Sequence, residues 1–500
     1  MGKNSKDNYS HVLKYTGVFG GVQGLNILIS LVRNKIAAVL LGPSGMGLVS
    51  LFNTTVNFVS QATNLGISFG AVRQLSELYD KGDETQVNRF VKVVRAWSLL
   101  TALLGMLVCV VVGPLLSSHT FSWGDHTLHF VLLAPAVGFL AITGGETAIM
   151  KGTRRLKPLA MVQLISVFAA LIISISIYYF FGQAGIVPVI VLVAFATAVA
   201  TMRYSYAIYP LRLRGAKGIL GEGMEMVRLG VAFILAGILN SGAEMFIRSY
   251  LNIAGDLQMV GYYNASYVLV IVYAGMVFSA METDYYPRLS GVNSYHTSAN
   301  EVVNRQIEVS LLLISPLLAM LVMLLPVVIP VLYSNDFLPV VGMAQVAALA
   351  MYAKAITLPI SFLTLAKSDP VGYVLLDVLY DVVLVVLIIL GFSHWGLWGT
   401  GLAITVTHVI ELAMVFVYAH LRFGYRMSVS VMQFAALQLP LGVAVYLVTL
   451  TQSGFFYWLL CGILCFVSIA ISFTVLRQKT SLWDALVRKL KNRLGQQDEE

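Results

Sequence analysis

Four basic residues, Arg33, Lys35, Arg248 and Lys354, lie within or near the ends of long apolar segments. A charge at the centre of a bilayer costs at least ~2.5 kcal/mol, so each needs a task or a partner. Arg33 lies too deep in its segment to reach back inward. Its function-free alternative is that Arg33 and Lys35 both snorkel to the outer headgroups. Arg248 follows Glu244 by four positions, a spacing that permits an ion pair within one helix. Lys354 is placed deepest of the lysines. Together the four cations suit an anionic cargo, whereas a cation carrier calls for acids at such depths. The acids available are Glu146, among small residues in GGETAIM, Glu244, the pair Asp377 and Asp381, and Glu411 three positions after His408. Residues three or four apart share a helix face. A carboxylate there can carry H⁺ or Na⁺; the plainer reading is that these acids neutralise Lys354 or Arg248. Asn53, Asn57 and Gln61 form a polar stripe at i, i+4 and i+8. It suits sugar hydroxyls and helix–helix hydrogen bonding equally. Glu282 and Asp284 read as ordinary charges at the cytoplasmic rim.

The elements that position these residues follow from composition. Of 500 residues, 58% are apolar and only 11% charged, against roughly 25% charged in a soluble domain. This excludes a soluble enzyme, a fibrous protein and a disordered one, and requires a polytopic membrane protein. A bilayer core needs ~20 residues of helix. Apolar runs of that size fall at about 15–41, 45–70, 94–115, 128–150, 158–181, 183–208, 226–252, 258–281, 306–333, 338–366, 370–393, 396–419, 430–450 and 454–476. They are long and continuously apolar, unlike the alternating ~10-residue strands of a membrane barrel.

Lys and Arg test this count of fourteen. With the N-terminus inside, the cytoplasmic connections, both ends and the inner margins of the adjoining segments hold all the remaining basic residues. Arg73, Lys81, Arg89, Lys92 and Arg95 follow the second segment, and Lys151, Arg154, Arg155 and Lys157 follow the fourth. The outer connections 117–126, 182–185, 334–337, 391–396 and 451–454 contain neither Lys nor Arg. This is the asymmetry of the positive-inside rule. The net charge of +8 therefore reflects orientation and implies no nucleic-acid partner. The polar N-terminus lacks the pattern of a cleaved signal peptide.

A weak internal repeat relates the pieces around segments 1–2 and 7–8. Each has an Arg late in its first segment (Arg33, Arg248), a turn ending in Gly-apolar (Gly47-Leu48, Gly261-Tyr262) and an early Asn (Asn53, Asn264). The expected architecture is an all-α polytopic membrane protein of about fourteen helices with both ends inside. It has two six-helix lobes of parallel topology and two C-terminal helices. The N-lobe is 1–208, a cytoplasmic linker 209–225, the C-lobe 226–425, the extra helices 426–476, and the tail 477–500 a basic amphipathic helix on the inner leaflet.

Catalytic motifs are absent: there is no phosphate-binding loop, HExxH or GxSxG, and Cys109, Cys461 and Cys465 are scattered. No enzyme activity and no cofactor beyond a coupling ion are expected. A membrane-embedded polymerase would need a large outer loop with Arg or His, and the longest outer connection, about 116–127, is short and has no Arg. Tyr178, Tyr179, Tyr262, Tyr263, Trp395 and Trp398 near segment ends read as interfacial belts.

Several stretches carry a family resemblance: LGPSGMGL at 41–48, NLGI at 64–67 with AVR at 71–73, MKGTR at 150–154, LAKS at 365–368, and GLWGTGLAITVTHVIELAMV in segment 12. In order and spacing, over about residues 10–425, the chain resembles the Wzx-type flippases. These are the O-antigen and lipid III translocases of the multidrug/oligosaccharidyl-lipid/polysaccharide superfamily. The resemblance implies movement of an undecaprenyl-pyrophosphate-linked oligosaccharide from the inner to the outer leaflet of the bacterial inner membrane. Alternating access between two lobes would drive it, with a polysaccharide polymerase and a chain-length regulator as partners besides membrane lipid. For such a cargo, Arg33, Lys35, Arg248 and Lys354 would grip pyrophosphate, Arg bidentately, with Asn53 and Asn57 on the sugars. Arg33 matches in position the first-span Arg of lipid II flippases, which faces their cavity. The closest enterobacterial relatives have twelve spans; the lipid II flippases share the two extra helices, which form a groove proposed for the lipid tail. The alternatives are a lipid II flippase and a drug or organic-cation antiporter of the same superfamily.

Overall fold

The computed structural model describes residues 3–120, 125–211, 219–273, 275, 278, 285, 288–291 and 296–479. The amphipathic tail 480–494, the linker residues 212–218, and Glu282 and Asp284 lie outside the described residues. Every regular element among the described residues is helical. Inside lipid this is the expected solution, because a helix satisfies its backbone hydrogen bonds within itself.

The chain forms two compact units. The first comprises Met1–Asn264 with Pro330–Phe337. Its helices are α1 (Lys3–Thr63), α2 (Ile67–Asp80), α3 (Glu84–Thr120), α4 (Thr127–Gly152), α5 (Leu156–Phe181), α6 (Ile186–Ile208), the short α7 (Ile219–Glu222), α8 (Met224–Ala254) and the start of α9 (Leu257–Tyr267). The second comprises Ala265–Ile329 and Leu338–Glu500. It contains the end of α9, a π-helical turn (Val268–Tyr273), most of α10 (His296–Leu332), α11 (Val340–Ala348), α12 (Ala350–Ala366), α13 (Pro370–Phe423), α14 (Val429–Thr451) and α15 (Gly454–Lys479).

Among the described residues, nine segments are long and apolar enough to cross a membrane. Three of them contain an internal break at a glycine of positive φ. In α1 the break is Gly42, at φ +64°, followed by Pro43. The left-handed conformation is open to glycine at little cost, and proline starts the next helix with its missing N–H unneeded. Gly396 (φ +58°) breaks α13 in the same way, and a 3₁₀ turn, Gly182–Gly185, separates α5 from α6. Each break falls where the sequence places an outer connection without Lys or Arg.

The outer surface of these helices is apolar. Leu99, Leu103, Leu107 and Val111 make an exposed stripe along α3, and Phe455, Phe456, Leu459, Ile463, Phe466 and Phe473 make another on α15. Contiguous apolar surfaces of this size belong against lipid, so the chain is a multi-pass membrane protein. In the second unit α15 is held to α14 by a buried polar clasp. Ser468 donates to Gln438 Oε1 at 2.6 Å, and Gln438 Nε2 donates to Ser472 Oγ at 3.0 Å. Tyr457 donates its hydroxyl to the Met323 carbonyl on α10 at 2.7 Å.

Candidate functional site: a cationic cavity in the first unit

The break at Gly42 turns α1 back on itself, so residues before and after it face common ground. Between the two arms and helices α4, α5 and α6 lies a cavity of about 330 Å³. Arg33 and Asn34 line it from the first arm, Asn53 and Asn57 from the second, Ser174 and Tyr178 from α5 and Thr197 from α6. Val189, Ile190 and Val193 supply an apolar wall. No carboxylate lines this cavity, and Arg33 forms no ion pair among the described residues. Asn53 donates to the Val49 carbonyl of its own helix at 2.9 Å, and both Asn53 and Asn57 are exposed to the cavity side. The site therefore offers one uncompensated guanidinium beside a row of amides and hydroxyls. That set suits an anion attached to a hydroxyl-rich group, because a guanidinium fork matches phosphate oxygens and amides both donate to and accept from hydroxyls.

Lys35 and Arg248 are placed elsewhere. Two residues on from Arg33, Lys35 points to another side of the helix and donates to the Pro330 carbonyl at 2.7 Å. It thereby ties α1 to the segment Pro330–Phe337. Arg248 is 4% exposed. Its Nε donates to Ser50 Oγ at 2.9 Å, and Nη1 donates to the Glu244 carbonyl at 3.1 Å and to Glu244 Oε2 at 3.4 Å. Ser50 passes its own hydrogen bond to Asn264 Oδ1 at 3.0 Å. The Arg248 guanidinium also stands 5.7 Å from the centre of the Tyr263 ring.

This network marks a crossing of α1 and α9 at the two helical turns that carry Gly47 and Gly261. A Cβ on Gly47 would strike the Leu257 carbonyl, and one on Gly261 would strike the Pro43 carbonyl. The contact is reciprocal, each glycine meeting the residue four before the other. Backbone approach of this closeness is what small residues allow between membrane helices.

Glu146 is buried at 3% exposure and holds a partner the sequence analysis did not assign. Arg95 grips it bidentately, Nε to Oε1 at 2.8 Å and Nη2 to Oε2 at 3.2 Å. Ser205 donates to Oε2 at 2.5 Å, and Arg95 lies 4.2 Å from the Tyr206 ring centre. Arg95 counts in sequence with the cytoplasmic connection after the second segment, but α3 begins at Glu84 and carries it into the helical packing. Its signal was the apolar residues on both sides of it (VVRAW).

In the second unit, α12 and α13 bring Lys354, Asp377, His408 and Glu411 within electrostatic reach. Lys354 and Asp377 both act on Glu411, and Lys354 acts on His408. Lys354 forms no ion pair among the described residues. Asp381 and His408 are buried, at 5% and 2% exposure. His408 Nδ1 lies 3.0 Å from the Ile404 carbonyl, and its ring meets Tyr380 edge-on at 5.3 Å. Among the described residues no group of three or more His, Cys, Asp and Glu side chains is arranged to hold a metal ion.

The fold is shared with solved transporters of low sequence identity. A structure described as "Lipid II flippase MurJ, inward closed conformation" matches with TM-score 0.73 and 13% identity, over 92% of this chain and 99% of that one. An inward-facing multidrug resistance MATE family transporter of the MOP superfamily matches with TM-score 0.64 and 16% identity, over 80% and 94% of the two chains. A MOP superfamily transporter from Pyrococcus furiosus, described as having a binding pocket of reverse polarity, matches with TM-score 0.57 and 12% identity, over 81% and 93%. No curated protein sequence matches the chain. The family model "Polysaccharide biosynthesis protein" matches residues 36–342, from just after Arg33 to the start of α11 and so over more than half of the sequence. The chain belongs to this family of polysaccharide biosynthesis proteins.

Proposed function

We propose that the protein is a flippase that carries an undecaprenyl-pyrophosphate-linked oligosaccharide, of the O-antigen or enterobacterial common antigen type, from the inner to the outer leaflet of the bacterial inner membrane. The observation that carries this reading is the Arg33 cavity, a half-buried guanidinium among amides and hydroxyls with no carboxylate in the lining. Family membership and the likeness to a lipid II flippase support it. The headgroup crosses in the polar cavity while the polyprenyl tail stays in lipid. Fourteen spans with both ends in the cytoplasm fit the basic-residue pattern, and alternating access between lobes 1–208 and 226–425 supplies the movement. The group of Lys354, Asp377, Asp381, His408 and Glu411 is the proposed site of H⁺ or Na⁺ coupling. A polysaccharide polymerase and a chain-length regulator would take up the product.

Reconstitution tests this directly. Purified protein in liposomes is supplied with an undecaprenyl-pyrophosphate oligosaccharide, and its movement between leaflets is followed beside Arg33→Ala. Transport by the wild type and its loss in the variant is the expected result. Efflux of an organic cation with no movement of lipid-linked sugar would overturn the proposal in favour of an antiporter.

A further inference from the structure

A second pocket of the first unit, about 480 Å³ in volume, opens along the N-terminal turns of α3 against Tyr209. Asn88, Arg89, Lys92 and Arg95 line it, with Glu84 as its lining carboxylate. It shares no residue with the Arg33 cavity.

The two arginines are held in the same manner. Arg89 spends Nε and Nη2 on Glu222 of α7, and Arg95 spends Nε and Nη2 on Glu146. A guanidinium has five N–H donors in a rigid fork. Each arginine is therefore clamped along one edge, while its Nη1 group has no hydrogen-bond partner among the described residues. For Arg95, whose pair is buried, clamping fixes where the remaining donors stand and lowers the ordering cost of binding; the Arg89 pair is exposed and holds its side chain more loosely. Lys92, three residues from each arginine along the helix, adds an ammonium, while the Asn88 amide nitrogen is given to the Glu84 carbonyl at 2.8 Å. Arg95, with a side chain 9% exposed, lies at the packed end of the pocket, where low dielectric strengthens its hydrogen bonds. Donors offered by several lining residues suit the oxygens of a phosphate, which accepts along several directions. A flat carboxylate would use fewer of them, and the volume has room for a diphosphate or a phosphate ester headgroup.

We propose that this pocket binds a phosphate-bearing anion, separately from the Arg33 cavity. The same chemistry is offered by a free diphosphate and by the headgroup of an anionic phospholipid, and the experiment separates them.

The full-length protein in neutral detergent is titrated with inorganic pyrophosphate by calorimetry. In parallel it is placed in nanodiscs of phosphatidylglycerol or phosphatidylcholine, and retained lipid is counted by native mass spectrometry. Both are repeated with R89Q, K92Q, the double variant and Arg33→Ala. At least one probe is expected to bind. Pyrophosphate binding would identify a soluble or cargo diphosphate, and preferential retention of phosphatidylglycerol a lipid headgroup. The double variant should weaken that binding tenfold or more, whatever Arg33→Ala does. The proposal is overturned if neither probe binds, or if the double variant, eluting as a folded monodisperse protein, binds within twofold of wild type. Because the readout is binding and not flipping, it stands or falls apart from the proposed transport activity.

Discussion

Arg33 and Arg248 occupy matching places in the two pieces of sequence read as a repeat, late in the first segment of each, yet their surroundings differ. Arg33 lines a cavity with no carboxylate. Arg248 is enclosed by Glu244, Ser50 and Tyr263 at a helix crossing. The cause is local: Glu244 lies one turn before Arg248, and the residue one turn before Arg33 is Ile29. A buried guanidinium with an acid one turn away pairs within its own helix, as Arg248 does; half-buried Arg33 has no such neighbour and stays open to the cavity. Arg95 extends the contrast, since its acid, Glu146, comes from another helix.

Removing each cation should separate these roles. Arg95→Ala leaves the Glu146 carboxylate buried without its partner and should cost about 3–5 kcal/mol of stability, read as a lower melting temperature in detergent. Adding Glu146→Gln should restore part of that loss, and no restoration would show that the pair is not what stabilises this region. Arg33→Ala should leave melting unchanged and lower flipping about one hundredfold, as expected from roughly 3 kcal/mol of charge-assisted hydrogen bonding. A variant with full transport would remove Arg33 from cargo binding. Gly261→Val places a branched side chain against the Pro43 carbonyl and should cost about 1–3 kcal/mol through overpacking. If it melts with the wild type, the reciprocal crossing is not a fixed contact. Arg248→Gln should lower stability by about 1–2 kcal/mol, with a smaller transport loss than Arg33→Ala; the opposite order would make Arg248 the cargo ligand. Asn57→Ala should have the smallest effect, about a few-fold in flipping, the worth of one neutral hydrogen bond at roughly 1 kcal/mol.

The sequence makes legible whatever lies along one helix. The apolar runs, the polar stripe of Asn53 and Asn57, the depth of Arg33 and the Glu244–Arg248 spacing all follow from periodicity within a single element. That Arg33 and Lys35 part company was also available, since residues two apart on a helix diverge by about 200°. What periodicity does not report is which foreign helix a face meets. Hence Arg95 reads as a loop cation until α4 and α6 bring Glu146 and Ser205 to it. Likewise the hydrogen bond from Lys35 to the Pro330 carbonyl joins residues far apart along the chain and leaves no trace in the spacing. The expected repeat is faint because apolar residues interchange freely. Gly47 and Gly261 share one physical reason, a backbone contact that leaves no space for a Cβ at either.

The bend at Gly42 has a consequence for how this site tolerates change in chain length. No connecting loop absorbs an extra residue between the arm bearing Arg33 and the arm bearing Asn53 and Asn57. One residue inserted between Pro43 and Asn53 would turn the amide row by about 100°, off the cavity and into the packing, while leaving the composition of the segment almost unaltered. Most single substitutions along this arm touch one contact; a single insertion or deletion would re-index the whole face at once.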